Sequence, residues 1–328
     1  MENFIPDFNL QQFFLAPWSS GAAVSNMWIA FMGFFVTTAC GLVGNYLILR
    51  RMALVGDAIS HSILPGLVIA FLIAQSRSST AMFIGALAAG VLTTIIIEVI
   101  HKKSRVKQDA AIGIAFTTLF AIGVILISLY ASKVDLDQEC VLYGEIAFVP
   151  LEPPVKFAGM NFGPLPVARM GIITLLTVAF ILIFYKQLLV SSFDPGLASS
   201  LGINASVVHY GLMCWLSIVV VSAFESVGAI LVVAMLIMPG ATASLLSQRL
   251  PVIMFLTVIN AALSSILGIH LATWLDCSTA GAMVVMATIL FCLAWIFGPV
   301  DGLVRRWKRA KIEQPIEMQM ESNVGIQK

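Results

Sequence analysis

Nine runs of about twenty apolar residues recur along the chain, at about 27–49, 54–75, 81–100, 110–131, 170–189, 206–223, 226–247, 252–271 and 279–298. A helix of ~20 apolar residues crosses the ~30 Å hydrocarbon core of a bilayer, where every backbone polar group must be paired internally. The runs predict an all-α polytopic membrane protein with nine transmembrane helices, or eight if 224–239 makes only half a crossing. Composition agrees, with 59% hydrophobic and 11% charged residues, against about 25% charged in soluble domains. A soluble enzyme and a disordered chain are excluded. A net charge of +1 provides no field to gather nucleic acid.

The basic residues orient the spans. Lys102, Lys103, Arg105 and Lys107 crowd one loop, Arg50 and Arg51 follow the first run, and five more basic residues lie in 305–311. Alternation puts fourteen Lys and Arg on one side and four on the other. The rich side is cytoplasmic by the positive-inside rule, with the C-terminus inside. Residues 1–26 carry Glu2 and Asp7 where a signal peptide would be basic, and Phe13, Phe14 and Trp18 suit the headgroup layer. They read as a periplasmic, interfacial lead-in to a transmembrane domain over 27–300. Residues 301–328 read as a cytoplasmic basic segment with a disordered tail. The outer segment 132–168 is acidic and Pro-rich and is expected to be a solvated, structureless loop. Five cysteines are scattered, with Cys140 and Cys277 both in outer loops, where a disulfide is open to them.

No GxxxxGK[ST], HExxH or GxSxG occurs, which favours transport over chemistry. The conspicuous polar cluster is RRMALVGDAISHSILPG over 50–66. Asp57 and His61 are four residues apart and share a helix face. Ser60 and Ser62 flank the histidine, and Pro65 interrupts the hydrogen-bond ladder. An intramembrane Asp costs about 2.5–3.5 kcal/mol on insertion scales, so it needs a purpose. Carboxylate oxygen plus imidazole nitrogen suits Mn²⁺, Fe²⁺ or Zn²⁺. One pair is half a coordination shell, and a symmetric dimer would supply four ligands. The other reading is an Asp–His hydrogen bond that neutralises itself.

Other polar residues are read structurally. Glu98 is expected to snorkel at its span end, His209 to sit at the interface, and Glu225, His270 and Asp276 to be solvated turn residues. Asp109 is expected to cap the span beginning at Ala110. Two cytoplasmic segments carry short-helix punctuation. In 191–204, Asp194 is the N-cap candidate, Pro195 opens the helix and Gly202 ends it. In 239–251, a short helix is expected between Pro239 and Pro251. On residues alone a transporter leads, with an ion-coupled secondary transporter and an integral membrane enzyme as alternatives.

RRMALVGDAISHSILPG, DAAIGIAFTTLFAIGVILIS (109–128) and VGAILVVAMLIMPGATASLL (227–246), in order over about 27–300, closely resemble the permease subunits of bacterial ABC importers for zinc, manganese and iron, the ABC-3 family. The resemblance implies a fold similar to the vitamin B12 and siderophore importer permeases, in the bacterial cytoplasmic membrane. It implies a dimer with a second copy or a sister permease, cytosolic ATP-binding subunits and an extracytoplasmic metal-binding protein. It implies no cofactor of the chain's own, the divalent metal ion being cargo. The metal ligands would be Asp57 and His61. Pro239, Gly240, Thr242 and Arg249 would form the preferred coupling helix to the ATPase, with Asp194 and Gly202 in a neighbouring contact.

Overall fold

The computed structural model describes residues 10–19, 21–74, 79–131, 146–157, 160–300 and 302–305. The chain enters through a short helix α1 (Leu10–Leu15) and a 3-10 turn at Ala16–Trp18. Helix α2 (Ala23–Leu49) follows, beginning four residues before the apolar run. Every residue from Val36 to Leu47 is buried. A helix apolar on all sides has no solvated face to keep, and α2 becomes the central post of the subunit.

Around it stand α3 (Val55–Ser62), α4 (Leu64–Ala74), α5 (Ser79–Lys103), α6 (Gln108–Leu126), α7 (Leu165–Ile183), α8 (Tyr185–Phe193), α9 (Pro195–Ser200), α10 (Ala205–Leu246), α11 (Leu250–Leu275) and α12 (Thr279–Phe297). Helices α7, α10 and α11 pack directly on α2. Small residues allow the approach, as expected where lipid gives no hydrophobic drive between helices. A methyl group on Gly44 would strike the Leu236 carbonyl, and Gly66 of α4 and Gly85 of α5 would each collide with the other's carbonyl.

Eight stretches among the described residues are long and apolar enough to span a membrane. This is the alternative count of eight, and the ninth run, 226–247, is shorter. Gly228 adopts φ 76° and ψ 169°, a conformation open to glycine, and breaks α10. What remains is the apolar segment Leu231–Leu246. Its sixteen residues reach roughly 24 Å at 1.5 Å per residue, less than a full crossing. Hydropathy counts side chains and does not register this backbone break.

Four other expectations change. No separate short helix occupies 239–251: Pro239 lies inside α10, the chain turns at 247–249, and Pro251 opens α11. Proline inside a helix frees a carbonyl four residues back, which membrane helices tolerate when neighbours cover it; here Met235 O faces Gly41 of α2. Helix α6 begins at Gln108, so Asp109 sits in its first turn, where it complements the helix dipole without capping. The segment 132–168 is partly folded, with a 3-10 stretch at Ile146–Leu151 and an antiparallel hairpin of β1 (Pro154–Phe157) and β2 (Met160–Pro164) running into α7. The acids Asp135, Asp137, Glu139 and Glu145 and Cys140 lie outside the described residues, as does the tail 306–328; Cys277 is exposed.

His270 is no turn residue. It is buried in α11, where Nδ1 meets the Phe13 carbonyl at 3.0 Å and Nε2 meets Trp18 Nε1 at 3.3 Å. Indole N–H only donates, so Nε2 accepts and Nδ1–H donates. The lead-in is thereby fastened to α11.

Candidate functional site

The site begins at the end of α2. Met52 N–H bonds to Leu47 O at 2.8 Å and Arg51 N–H to Ile48 O at 3.0 Å, with Arg51 at φ 58°. This is a Schellman closure with arginine in the left-handed position. It turns the chain within a few residues, and α3 starts at Val55.

Six of the eight residues of α3 are buried: Val55, Gly56, Ala58, Ile59, Ser60 and Ser62. The two left half-exposed are Asp57 and His61. Both serine hydroxyls are spent within the helix, Ser60 on Gly56 O at 3.0 Å and Ser62 on Ala58 O at 2.6 Å. The open face of α3 therefore carries one carboxylate and one imidazole. Asp57 Oδ1 and His61 Nε2 are 3.4 Å apart, with side chains 40% and 31% exposed. Phe116 and Phe120 of α6 wall the imidazole, with ring centroids at 5.7 and 6.2 Å. The helix then breaks at Ile63, with Pro65 in the first turn of α4, as the motif predicts.

A tetrahedral ion with bonds of about 2.1 Å sets adjacent ligand atoms about 3.4 Å apart. Asp57 and His61 already hold that spacing. Among the described residues no group of three or more His, Cys, Asp or Glu assembles, so the pair stands without a third such side chain beside it.

The two segments expected on the cytoplasmic side differ. Asp194 Oδ1 accepts from Gly196 N at 2.9 Å and Leu197 N at 3.0 Å, capping α9. Gly202, at φ 76°, closes it. Phe193, Leu197 and Leu201 are exposed beside the cap. In contrast, Pro239, Gly240 and Thr242 are buried, the Thr242 hydroxyl bonds back to Met238 O at 2.8 Å, and Arg249 is exposed at the turn before α11.

A polar cluster that spacing did not reveal lies at the foot of α3. Arg50 donates from Nε to Ser192 Oγ and from Nη2 to Ser191 Oγ, both at 2.9 Å, and its Nη1 meets His209 Nδ1 at 2.9 Å. Guanidinium only donates, so His209 Nδ1 accepts and its Nε2–H donates to Glu98 Oε2 at 3.1 Å. Lys102 Nζ reaches Glu98 Oε1 at 2.7 Å. Glu98 is thus buried and paired, where snorkelling was expected. Burial pushes the Arg50 guanidinium below its ordinary value. Arg50, Glu98 and His209 are far apart in sequence, and the sole signal was a set of charges close to span ends.

The model of the ABC 3 transport family matches residues 24–298. The chain belongs to this family. As an ABC 3 member it is a membrane permease subunit, and the secondary-transporter and enzyme alternatives fall away. Among the relatives, the manganese transport system membrane protein MntD of Bacillus subtilis (strain 168) is 45% identical over 279 residues, 85% of this chain and 94% of that protein. The zinc transport system membrane protein TroD of Treponema pallidum (strain Nichols) is 42% identical over 280 residues, 85% of this chain and 76% of that protein. The solved structure of PsaBC from Streptococcus pneumoniae in complex with Fab superposes with a TM-score of 0.72 at 32% identity, covering 92% of this chain and 100% of that one. An inward-facing metal-chelate type ABC transporter shares the fold, with a TM-score of 0.61 at 17% identity over 88% of this chain and 91% of that one.

Proposed function

We propose that this ABC 3 permease carries a divalent transition-metal ion, manganese or zinc, into the cytoplasm, and that Asp57 and His61 receive it on the way. One observation carries the reading: α3 buries everything except a carboxylate and an imidazole already set at a metal-ligand spacing. A half-exposed Asp facing lipid would cost about 2.5–3.5 kcal/mol, so this face belongs against water or another subunit. A second permease copy presenting the same pair completes an N₂O₂ shell, which both ions accept. Two ligands per subunit bind loosely enough to let the ion leave, as conduction requires. The names of the manganese and zinc relatives support the cargo class.

A metal-binding protein delivers the ion at the outer face, and ATP-binding subunits act from the cytoplasmic face, where the C-terminus lies. For their contact we favour α8 and α9, because Asp194 and Gly202 build a discrete capped helix with Phe193, Leu197 and Leu201 exposed. Pro239 and Gly240 are buried against α2 and Thr242 is buried, which leaves Ser244, Gln248 and Arg249 exposed to join the contact.

The test is metal-dependent uptake in membranes holding the whole transporter. Asp57→Asn and His61→Ala are each expected to reduce uptake at least tenfold with normal membrane levels. Wild-type uptake in either variant would remove the pair from the path.

A further inference from the structure

The cluster at the foot of α3 opens into a cavity of about 480 Å³. Arg50, Arg51 and Lys102 line it with His209, and Glu98 is its one carboxylate. Glu98 is already engaged by Lys102 and His209. Among the described residues no carboxylate reaches Arg50, whose guanidinium is held by two hydroxyls and an imidazole. The Arg51 side chain is exposed, with no partner among the described residues. The cavity is thus a cationic hollow with donors to spare, fixed in shape by its own hydrogen bonds.

Its surroundings select the ligand. It lies at the helix ends beside the basic loop 101–107, on the face that the charge asymmetry makes cytoplasmic. Its wall on α10 continues into Val207, 65% exposed, and Tyr210, 38% exposed. Lys102 Nζ stands 5.1 Å from the centre of the Tyr210 ring. Aromatic and basic side chains together mark the headgroup layer, and Val207 with Tyr210 gives the cavity an apolar rim on the same helix. We propose that this cavity binds the phosphate of an anionic phospholipid from the inner leaflet, with Arg50, Arg51 and Lys102 as its cationic partners. Guanidinium groups suit phosphate oxygens because their donors form a planar fork. The shared chemistry is a phosphate group, and apolar rim residues assign it to a lipid over a free ion. The inference is independent of the metal path, and because Ser191, Ser192 and Pro195 of α8 and α9 also line the cavity, it places the lipid at the edge of the contact proposed for the ATP-binding subunit.

The assembled transporter, extracted in detergent and stripped of lipid, is titrated with phosphatidylglycerol, phosphatidylcholine or inorganic phosphate and read by native mass spectrometry. Phosphatidylglycerol is expected to bind at least tenfold more tightly than phosphatidylcholine, with millimolar inorganic phosphate failing to displace it. Arg50→Gln should weaken retention roughly tenfold. Because that change also removes internal hydrogen bonds, Arg51→Asn provides the second variant; asparagine tolerates the left-handed backbone there, and a similar loss is expected. Glu98→Gln should shift binding the other way, tightening it. Equal retention of the two lipids, displacement by inorganic phosphate, or wild-type retention by Arg51→Asn overturns the proposal. So does an assembly in which the ATP-binding subunit shields the cavity and no phospholipid is kept.

Discussion

Gly56 of α3 lies so close to Leu236 of α10 that a methyl group at Gly56 would collide with the Leu236 Cδ2 atom. The same leucine offers its backbone carbonyl to Gly44 of α2, so the segment after the Gly228 break is wedged between the central post and the helix bearing Asp57 and His61. Packed interiors transmit such displacements. Gly56→Val is therefore expected to push α3 outward and cut uptake at least fivefold. Leu236→Ala in the same chain should restore much of it. Uptake unaffected by Gly56→Val, or a double variant no better than the single, would show that this contact does not set the position of α3.

Proton competition follows from imidazole as a ligand. Only neutral imidazole binds a metal, and histidine ordinarily titrates near pH 6.5. Lowering the pH from about 7.5 to about 5.5 should raise the metal concentration needed for half-maximal uptake, with less effect on the maximal rate. The sign is set by protonation removing the ligand lone pair. Transport measured in vesicles loaded with metal-binding protein at fixed saturation isolates the permease, and a His61→Gln variant with residual uptake should lose the dependence.

The pair of Glu98 with His209 and Lys102 predicts a stability effect. Glu98→Ala leaves the His209 Nε2–H without its acceptor and strands Lys102 above Tyr210. Truncating one partner of a buried, charge-assisted network costs about 1–3 kcal/mol. Thermal unfolding of the purified protein should shift downward by several degrees. Glu98→Gln, which can still accept from His209, should fall between that variant and the wild type.

How much of this was legible differs residue by residue. Asp57 and His61 could be read because helical periodicity puts residues four apart on one face, a local rule that needs no tertiary knowledge. Asp194 and Gly202 were legible as a cap and a terminator for the same reason. Gly228 was not, because apolar composition continues through it and only its positive φ breaks the span. Pro239 misled in the opposite sense: proline reads as a boundary, yet here a neighbouring helix covers the carbonyl it frees. His270 was misplaced, and the network of His209 went unread, because their partners, Trp18 and Phe13 for one and Arg50 and Glu98 for the other, are brought in by chain folding over long sequence separations.

Trp18 and His270 give the last prediction. Nε2 of His270 accepts from the indole, and Nδ1–H holds the Phe13 carbonyl, so the ring serves as a two-ended clip between the lead-in and α11. Phe13 stacks on the imidazole at 5.5 Å between centroids and meets Trp274 edge-on at 6.1 Å. Trp18→Phe keeps an aromatic ring and removes the indole N–H, at a cost of about 0.5–1.5 kcal/mol for one hydrogen bond. His270→Ala removes both ends of the clip and opens a cavity beside Trp274. Limited proteolysis from the outer face should cut the lead-in modestly faster in Trp18→Phe and much faster in His270→Ala, with the remaining helices equally protected. Identical cutting rates in all three chains would mean that other contacts hold the segment down.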